Sequence, residues 1–477
     1  MKKQIYYLTL LLGFLAKSAY AQQIPGLAAS NYGGLYRATE NPSAIGGSKF
    51  KWQVNIGTIG SSINHRYFVF LGKNSLFYPL LAAHSKDELY GRSRTMGSLT
   101  DKDPIYLTSE IRWPSAMFSI GKYQGVAIQF RTRGFVTGNN VPDDIRNLYF
   151  KRLDTGMDNV APTDWGKFNL VQQSFSEMSV SYGVQLLDLD AHKFRVGVTA
   201  KRIFGARIGY VKGSVDNFQV RKVTGSQDES ELVLNNFSYE TGYSQQNQKL
   251  KLGDLFNSDK YAAGWAYDLG VTYELGNYWQ NKDEAFDQNP KYILRLAASL
   301  TDIGSINYKT TGSRAIAGQQ EQTIIGQKEL ETIGNEGADG LMNLYPASSD
   351  TTFNSKVKLP QAIHWEADVQ LVKGFFVTLS QTKRFKSVTD NVLNVAQPNV
   401  FTITPRFEDE DSDFAFPISF IQGNKKVAIG ALAHFGPIFI GFSNLNGLIN
   451  KNGSGAKGSM AYVGVSAWKL KGWKKKG

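Results

Sequence analysis

The chain has 477 residues, no cysteine and a formal net charge of +12. The lack of cysteine excludes a disulfide-stapled scaffold and a thiolate metal site. The surplus of basic residues suits anionic lipid headgroups or nucleic acid. Apart from the terminal KLKGWKKKG, however, these residues are dispersed along the chain and form no concentrated patch.

The N-terminus has the three parts of a secretory signal peptide in the right order. Lys2 and Lys3 form a basic start, 5–16 is an uncharged and mostly apolar run, and 19–21 (AYA) is a small-x-small cleavage site. We therefore expect residues 1–21 to be a cleaved signal peptide, with a buried N-terminal helix as the alternative. For an exported chain we expect no nucleic-acid partner.

The stretch GWAYDLGVTYELG (264–276) alternates with a period of two. Trp265, Tyr267 and Tyr273 fall on one parity, and Asp268 and Glu274 fall on the other. This alternation predicts a strand with an aromatic face and a polar face.

Many other segments alternate in the same way. They are FKWQVNIG (50–57), GVAIQFRTRGF (125–135), SEMSVSYGVQLLDLD (176–190), KFRVGVTAKRI (193–203), KYILRLAASLTDIG (291–304), AIHWEADVQLV (362–372) and FFVTLSQTKRF (375–385). Further strands are expected near 63–71, 112–121, 206–220, 229–241, 399–407, 414–421, 425–434, 437–443 and 459–470. Tight glycine-containing turns join several of them, which favours antiparallel hairpins. Longer polar connections alternate with these turns, as in outer-membrane barrels.

Two arrangements fit these strands. A soluble sandwich would bury the aromatic face, whereas a membrane barrel would turn it to lipid and line its lumen with the polar face. A single soluble core of this length exceeds the usual size, and the sequence contains no linker or fixed-period repeat. We therefore predict an all-β transmembrane antiparallel β-barrel of about 14 strands, with 16 as the alternative. Trp265, Tyr267 and Tyr273 are expected to face lipid.

Seven phrases then resemble a known family. They are NPSAIGGSKFKWQVNIG (41–57), SAMFSIGKYQGVAIQFRTRGF (115–135), VGVTAKRIFGARIGY (196–210), GWAYDLGVTYELG (264–276), LAASLTDIGSINY (296–308), KLPQAIHWEADVQL (358–371) and KKVAIGALAHFGPIFIGFSNL (425–445). In these phrases the chain resembles outer-membrane barrels of Bacteroidota that are grouped as a domain family of unknown function. That group is distantly similar to long-chain fatty-acid transporter (FadL-like) barrels and to the shuttle barrel of the type 9 secretion system.

The resemblance implies a domain organisation. Residues 22–49 would plug the lumen, and NPSA at 41–44 is similar to an Asn-Pro-Ala element of those barrels, which marks Asn41 and Pro42 as plug residues. Residues 50–470 would form the outer-membrane barrel. The C-terminus departs from the family pattern, because KLKGWKKKG follows Trp468, and we expect 471–477 to be a basic periplasmic tail.

Charged side chains on the lumen parity are the candidate site residues. They are Arg131, Arg133, Arg195, Lys201, Asp268, Glu274, Arg295, His364, Glu366, Asp368 and Arg384. Two interpretations stay open: a charge network that holds the plug, or a site that selects an anionic or amphipathic ligand. The acidic run EDEDSD (408–413) is interpreted as a solvated turn.

No catalytic motif is present, so we expect no enzymatic activity, no cofactor and no metal. The leading expectation is an outer-membrane transporter of a hydrophobic or amphipathic small molecule, in contact with outer-membrane lipid. The alternatives are a structural barrel that binds another envelope protein, and a soluble exported β-protein.

Overall fold

The structure is a computed structural model. It describes residues 26–64, 68–70, 93–95, 104–142, 153–155, 157–189, 191–226, 228–244, 262–276, 292–308, 313–336, 338–345, 349–351, 355–385, 393–421, 426–446 and 459–471, together with residues 145, 148 and 256. The expected signal peptide and all but the first residue of the expected basic tail lie outside these ranges.

The described part of the chain is dominated by strands. In chain order these are β1 (Phe50–Asn64), β2 (Phe68–Phe70), β3 (Ser93–Thr95), β4 (Ile105–Arg112), β5 (Ser115–Ile120), β6 (Gln124–Asn139), β7 (Val160–Leu189), β8 (His192–Lys222), β9 (Ser230–Ser244), β10 (Ala262–Gly276), β11 (Tyr292–Tyr308), β12 (Ser313–Ile325), β13 (Ser349–Thr351), β14 (Ser355–Lys358), β15 (Ala362–Val372), β16 (Phe375–Arg384), β17 (Val400–Glu408), β18 (Ser412–Ala415), β19 (Ile418–Ile421), β20 (Lys426–Ile429), β21 (Ala431–Phe435), β22 (Ile438–Phe442) and β23 (Ser459–Leu470). The helices are α1 (Gly34–Glu40), α2 (Gln327–Glu336) and α3 (Ala338–Leu344), with 3-10 helices at Pro42–Gly47 and Leu153–Thr155.

Within the described ranges the strands close into one antiparallel barrel of 14 wall positions. β1 pairs along its length with β23, which joins the first wall position to the last. Four positions are each filled by two short strands: β4 with β5, β14 with β15, β18 with β19, and β20 with β21. Pro114, Pro360 and Pro417 lie in three of these interruptions, where a residue without a backbone N–H cannot continue the ladder. The predicted fold, an all-β antiparallel barrel of about 14 strands, is confirmed.

The wall strands turn their apolar side chains outward. In β10, Trp265 and Leu269 are 54% and 49% exposed, whereas Asp268 between them is 1% exposed. Tyr267 is also exposed, and Tyr273, nearer the strand end, is half-buried. This pattern is the reverse of a soluble β-protein and is that of a barrel in lipid. None of the helices in the described ranges is long and apolar enough to cross a membrane.

β8 belongs to two sheets. From 192 to 205 it pairs with β10 in the barrel wall, and from 209 to 222 it pairs with β9 instead. A β-bulge at Ala206 marks the change of partner and switches the buried parity from odd to even positions. The expected strands at 193–203 and 206–220 are therefore one continuous strand.

Beyond this junction β7, β8, β9, β12 and β13 form an extension that we call the outer sheet. An apolar cluster lies on it, which includes Trp165, Phe218 and Leu234 from the strands and Leu341 from α3. With 30 and 31 residues, β7 and β8 are about three times as long as a strand that only spans a bilayer. The outer sheet thus has a core of its own.

Residues 26–49, which we call the inner segment, lie inside the barrel. Asn41 Nδ2 donates to the carbonyl oxygen of Val271 in β10 at 3.1 Å, and Tyr36 Oη donates to Asn55 Oδ1 in β1 at 2.6 Å. Further contacts run to β6, β7, β8, β11 and β17. A segment that touches strands all around a closed wall is enclosed by it.

Glycines of the wall let the inner segment approach the backbone closely. A Cβ at Gly197 would lie 2.3 Å from the backbone of Pro42, and one at Gly270 would lie 2.0 Å from Asn41 Oδ1. Gly183 faces Gly46 in the same way. Any side chain at these wall positions would push the inner segment away.

Candidate functional site

The interior of the barrel holds the residues that the alternation assigned to the lumen. Seven of these eleven side chains belong to one of two charge networks. Arg195 and Glu274 pair with each other, and His364 lies between two hydroxyl groups. Arg384 lies apart from them and donates to Tyr106 Oη at 2.6 Å.

One network, which we call the upper network, ties several wall strands together. Arg131 Nε donates to Glu177 at 2.6 Å, and Arg133 bridges Glu177 and Asp302 through bonds of 2.7 to 2.8 Å. Lys201 continues the chain of contacts to Asp302 at 2.8 Å. Lys201 also pairs with Asp268 at 2.7 Å, and Arg131 with Glu110 at 3.4 Å. All these side chains are buried, so each charge relies on its partners for stabilisation.

A second network, the lower network, lies nearer the short turns. Arg295 donates to Glu366 at 2.8 Å. Arg406 donates to both carboxylate oxygens of Asp368, at 2.7 and 2.8 Å. Arg406 also donates to Glu408 at 2.9 Å. The geometry is the bidentate form in which guanidinium and carboxylate pair most strongly.

The lower network also holds the inner segment. Arg295 donates to the carbonyl oxygen of Ala29 at 2.8 Å, and the Asn31 backbone N–H donates to Glu408 at 3.0 Å. Ser30 Oγ donates to Asp413 at 3.1 Å. The interpretation of 408–413 as a solvated turn was therefore wrong at its two ends, because Glu408 and Asp413 are buried and point inward.

Three further candidate residues have separate surroundings. Arg195 donates to both oxygens of Glu274 at 2.6 and 2.7 Å, beneath Gly47 of the inner segment. His364 sits between the hydroxyls of Thr301 and Thr382 at 3.0 and 2.9 Å. Neither arrangement offers a reactive group to a substrate. Over the ranges that the structure describes, no group of three or more His, Asp or Glu side chains is placed to hold a metal ion.

A cavity of about 140 Å³ lies between the inner segment and the wall. Residues of β1, β4, β11, β15, β16, β17, β19, β20 and β23 line it on the wall side, with hydroxyl and amide groups among small apolar side chains. The lining includes Ala28, Ala29, Ala297, Ser299, Ser380, Gln397, Thr402 and Thr404. The inner segment contributes Arg37 and Glu40 to the same lining.

Arg37 and Glu40 are functional candidates that the alternation of the wall strands did not reveal. Burial, with Arg295 as the next cause, lowers the pKa of Arg37. Burial raises the pKa of Glu40 from 4.5 to about 8, against the effect of the nearby Arg112. A signal was present, since these are the only two charged residues between 22 and 48.

A comparison with protein families places the chain. A family model with the description "Family of unknown function (DUF5723)" matches residues 42–443. The match spans well over half of the chain and contains the barrel wall from β1 to β22. The chain belongs to the DUF5723 family. A search among curated proteins gave no match.

Solved structures similar to this DUF5723 chain include a transporter, a channel and a protease. The toluene transporter TbuX of Ralstonia pickettii is 10% identical, with 94% of this chain and 98% of that chain covered and a TM-score of 0.37. A deltaS2S3 mutant of TodX, a monoaromatic hydrocarbon channel, is 10% identical, with coverage of 95% and 98% and a TM-score of 0.38. The outer membrane protease OmpT of Escherichia coli is 7% identical, with coverage of 87% and 96% and a TM-score of 0.21.

Proposed function

We propose that the protein is an outer-membrane barrel that transports a small amphipathic molecule, with the inner segment as its plug and gate. The observation that carries the proposal is the cavity of about 140 Å³ between the inner segment and the wall. A barrel with only a structural role has no need for a lined space beside the inner segment. The mixed lining of hydroxyl, amide and small apolar groups suits a ligand with both characters.

The apolar side chains that the wall turns outward, which we call the outward belt, support a location in the outer membrane. Large apolar side chains are exposed on most wall strands, including Ile128 in β6, Val180 in β7 and Ile440 in β22. Contact with lipid would remove this surface from water, whereas a soluble protein would leave it exposed. We therefore place the wall in the outer membrane, reached through the expected signal peptide.

The attachment of the inner segment supports a gating role. Its wall contacts combine hydrogen bonds and ion pairs with two apolar clusters, around Tyr36 and around Leu35. The Tyr36 cluster reaches the cavity at Met460, whereas the Leu35 cluster contributes no residue to the lining. A displacement of the inner segment on the cavity side would open a path while the Leu35 cluster remains packed.

An engineered disulfide tests both transport and gating, because the chain has no native cysteine. The hydroxyls of Ser43 and Thr272 lie 2.7 Å apart, so Ser43→Cys with Thr272→Cys would lock the inner segment to β10. Ser181→Cys with Thr199→Cys is the matched control, since those hydroxyls lie 2.8 Å apart between two wall strands.

The measurement is swelling of proteoliposomes in isotonic erythritol and in isotonic L-valine. We expect the wild type and the oxidised control to admit at least one solute. The oxidised lock should be slower by about tenfold or more, with recovery in dithiothreitol. No entry of either solute through the wild type would overturn transport. Equal rates for the oxidised lock and the control would overturn gating alone.

The outer sheet favours a second candidate function, a barrel that binds another envelope protein. Its strands extend well beyond a bilayer and carry their own apolar core. Lys222 and Lys328 are exposed on this region. Cross-linking in intact cells should then join these lysines to one other envelope protein, and cross-links confined to this chain would argue against that function.

A further inference from the structure

Two charged side chains in the cavity lack the partners that other lumen charges have. The Glu40 carboxylate makes no hydrogen bond or ion pair with any residue that the structure describes. The guanidinium of Arg37 makes no hydrogen bond in those ranges, and its ion pair is a 3.6 Å contact to Glu366 Oε1. That oxygen already accepts from Arg295 at 2.7 Å.

The contrast with the two charge networks is informative. Buried charges such as Arg133, Asp302 and Asp368 are each paired at 2.7 to 2.8 Å. An ionised carboxylate removed from water without a partner is costly, so burial alone favours protonated Glu40, whereas a cationic ligand group would let Glu40 ionise. Arg37 and Glu40 therefore resemble half of a salt-bridge network with the other half missing.

Arg37 and Glu40 lie on the same side of one helix and face the same cavity. They are three residues apart on α1, so their side chains leave the same side of the helix, and both line the cavity. They form no ion pair with each other, which leaves one anionic and one cationic group to act separately. Hydroxyls of Ser299, Ser380 and Thr402 provide additional hydrogen-bonding groups in the lining.

The cavity volume limits the occupant. An engineered protein cavity of about 150 Å³ holds one benzene molecule. The cavity here, at about 140 Å³, accepts a molecule of similar bulk. A hydrocarbon of that size would give neither Glu40 nor Arg37 a new partner, whereas a small molecule with two opposite charges would give one to each of them.

We infer that the cavity binds a small zwitterion with the size and charges of an α-amino acid, whose ammonium pairs with Glu40 and whose carboxylate pairs with Arg37. The inference rests on the proposed transport function and names the class of its substrate. Arg37 suits the carboxylate because guanidinium offers two parallel N–H donors. Glu40 suits the ammonium because an ionised carboxylate only accepts hydrogen bonds.

The test is calorimetric titration of the full-length protein in detergent at about pH 8.5, where Glu40 can ionise. Four probes of similar size separate the charges: L-valine, isobutylamine without the carboxylate, 3-methylbutanoate without the ammonium, and toluene without either. We expect L-valine to bind at least about tenfold more tightly than the other three.

Two variants assign the charges to residues. Glu40→Gln should weaken L-valine by about tenfold or more and leave 3-methylbutanoate unchanged, and Arg37→Gln should weaken L-valine and leave isobutylamine unchanged. Glu321→Gln, at an exposed site on the outer sheet, is the matched control and should bind as the wild type does.

Three outcomes would overturn the inference: no L-valine binding, binding no tighter than for the single-charge probes or toluene, or unchanged affinity in Glu40→Gln. Each is separable from failure of the proposed function. If L-valine does not bind in this cavity, erythritol can still enter proteoliposomes and be slowed by the Ser43–Thr272 disulfide. That result would support the proposed function and overturn only the inference about its substrate.

Discussion

Arg133 and Asp302 form a two-point ion pair across the lumen. Nη1 and Nη2 of Arg133 donate to the two carboxylate oxygens of Asp302 at 2.7 and 2.8 Å, and both side chains are 1% exposed. Arg133 belongs to β6 and Asp302 to β11, which are separated in the wall by β7, β8 and β10. The pair is thus a cross-brace between strands that never touch through their backbones.

Loss of this brace should destabilise the barrel. Asp302→Asn leaves Arg133 and Lys201 buried with too little negative charge, and we expect the free energy of unfolding to fall by about 3–5 kcal/mol. Urea unfolding in detergent, followed by tryptophan fluorescence, measures the change. Glu231→Gln breaks the more exposed Arg221–Glu231 pair and should cost less than about 1 kcal/mol. Equal effects of the two substitutions would refute the brace.

The close approach of inner segment and wall at Gly197 gives a second prediction. Gly197→Ala places a methyl group against the backbone of Pro42 and should displace the inner segment, at a cost of about 1–3 kcal/mol. In the Ser43→Cys/Thr272→Cys background, the disulfide should therefore form more slowly. Gly57→Ala is the control, because a Cβ there meets nothing within 4 Å. Similar rates with Gly197→Ala and Gly57→Ala would show that the contact is not restrictive.

The outward belt predicts a depth-dependent response to charge. Leu269→Arg, at the centre of β10, should cost about 2–4 kcal/mol of stability in a bilayer. Leu186→Arg, near the short turn that ends β7, should cost about 0–1 kcal/mol, although Leu186 is the more exposed of the two. Unfolding from liposomes in urea compares them. A soluble β-protein would tolerate both changes equally.

Glu40 gives the protein a defined pH dependence. Its pKa of about 8 in the folded state exceeds the ordinary 4.5, because burial and the carboxylates Glu366 and Glu110 outweigh Arg112 and Arg131. Between these two values the folded state holds a proton that the unfolded state releases, so stability falls as pH rises through this window.

Glu40→Gln removes that contribution. We expect the unfolding free energy of the wild type to decline more than that of Glu40→Gln between about pH 4.5 and pH 8. Chemical denaturation in detergent at several pH values measures both slopes, and Glu321→Gln should follow the wild type. Parallel slopes for wild type and Glu40→Gln would contradict the raised pKa.

Much of the wall could be predicted from the sequence because strand alternation is local. The period of two in β10 separates Trp265 from Asp268 before any partner is known, and every paired neighbour obeys the same rule. Hairpin turns then order the strands along the wall. The fold class and approximate strand number need nothing beyond these two signals.

The partners of the lumen charges could not be predicted in this way. Arg133 meets Asp302 because of barrel closure and strand stagger, which depend on the whole wall. The partner change of β8 depends on one extra residue at Ala206, which no composition signal marks. Arg37 and Glu40 lie in a segment without alternation, and only the enclosure of that segment shows that they face a cavity.

The bulge at Ala206 also limits which insertions and deletions β7 and β8 can accept in evolution. Below it, β8 presents Lys201 to the lumen, and directly above it the buried positions Ile208 and Tyr210 have the opposite parity. Removal of a single residue near the junction would turn every later side chain to the wrong face. Deletions that shorten β7 and β8 together, by even numbers of residues above the bulge, would leave both faces intact. In relatives of this chain, β7 and β8 should therefore be longer or shorter above the bulge by the same even number of residues. The part of both strands that lies in the wall should keep one length.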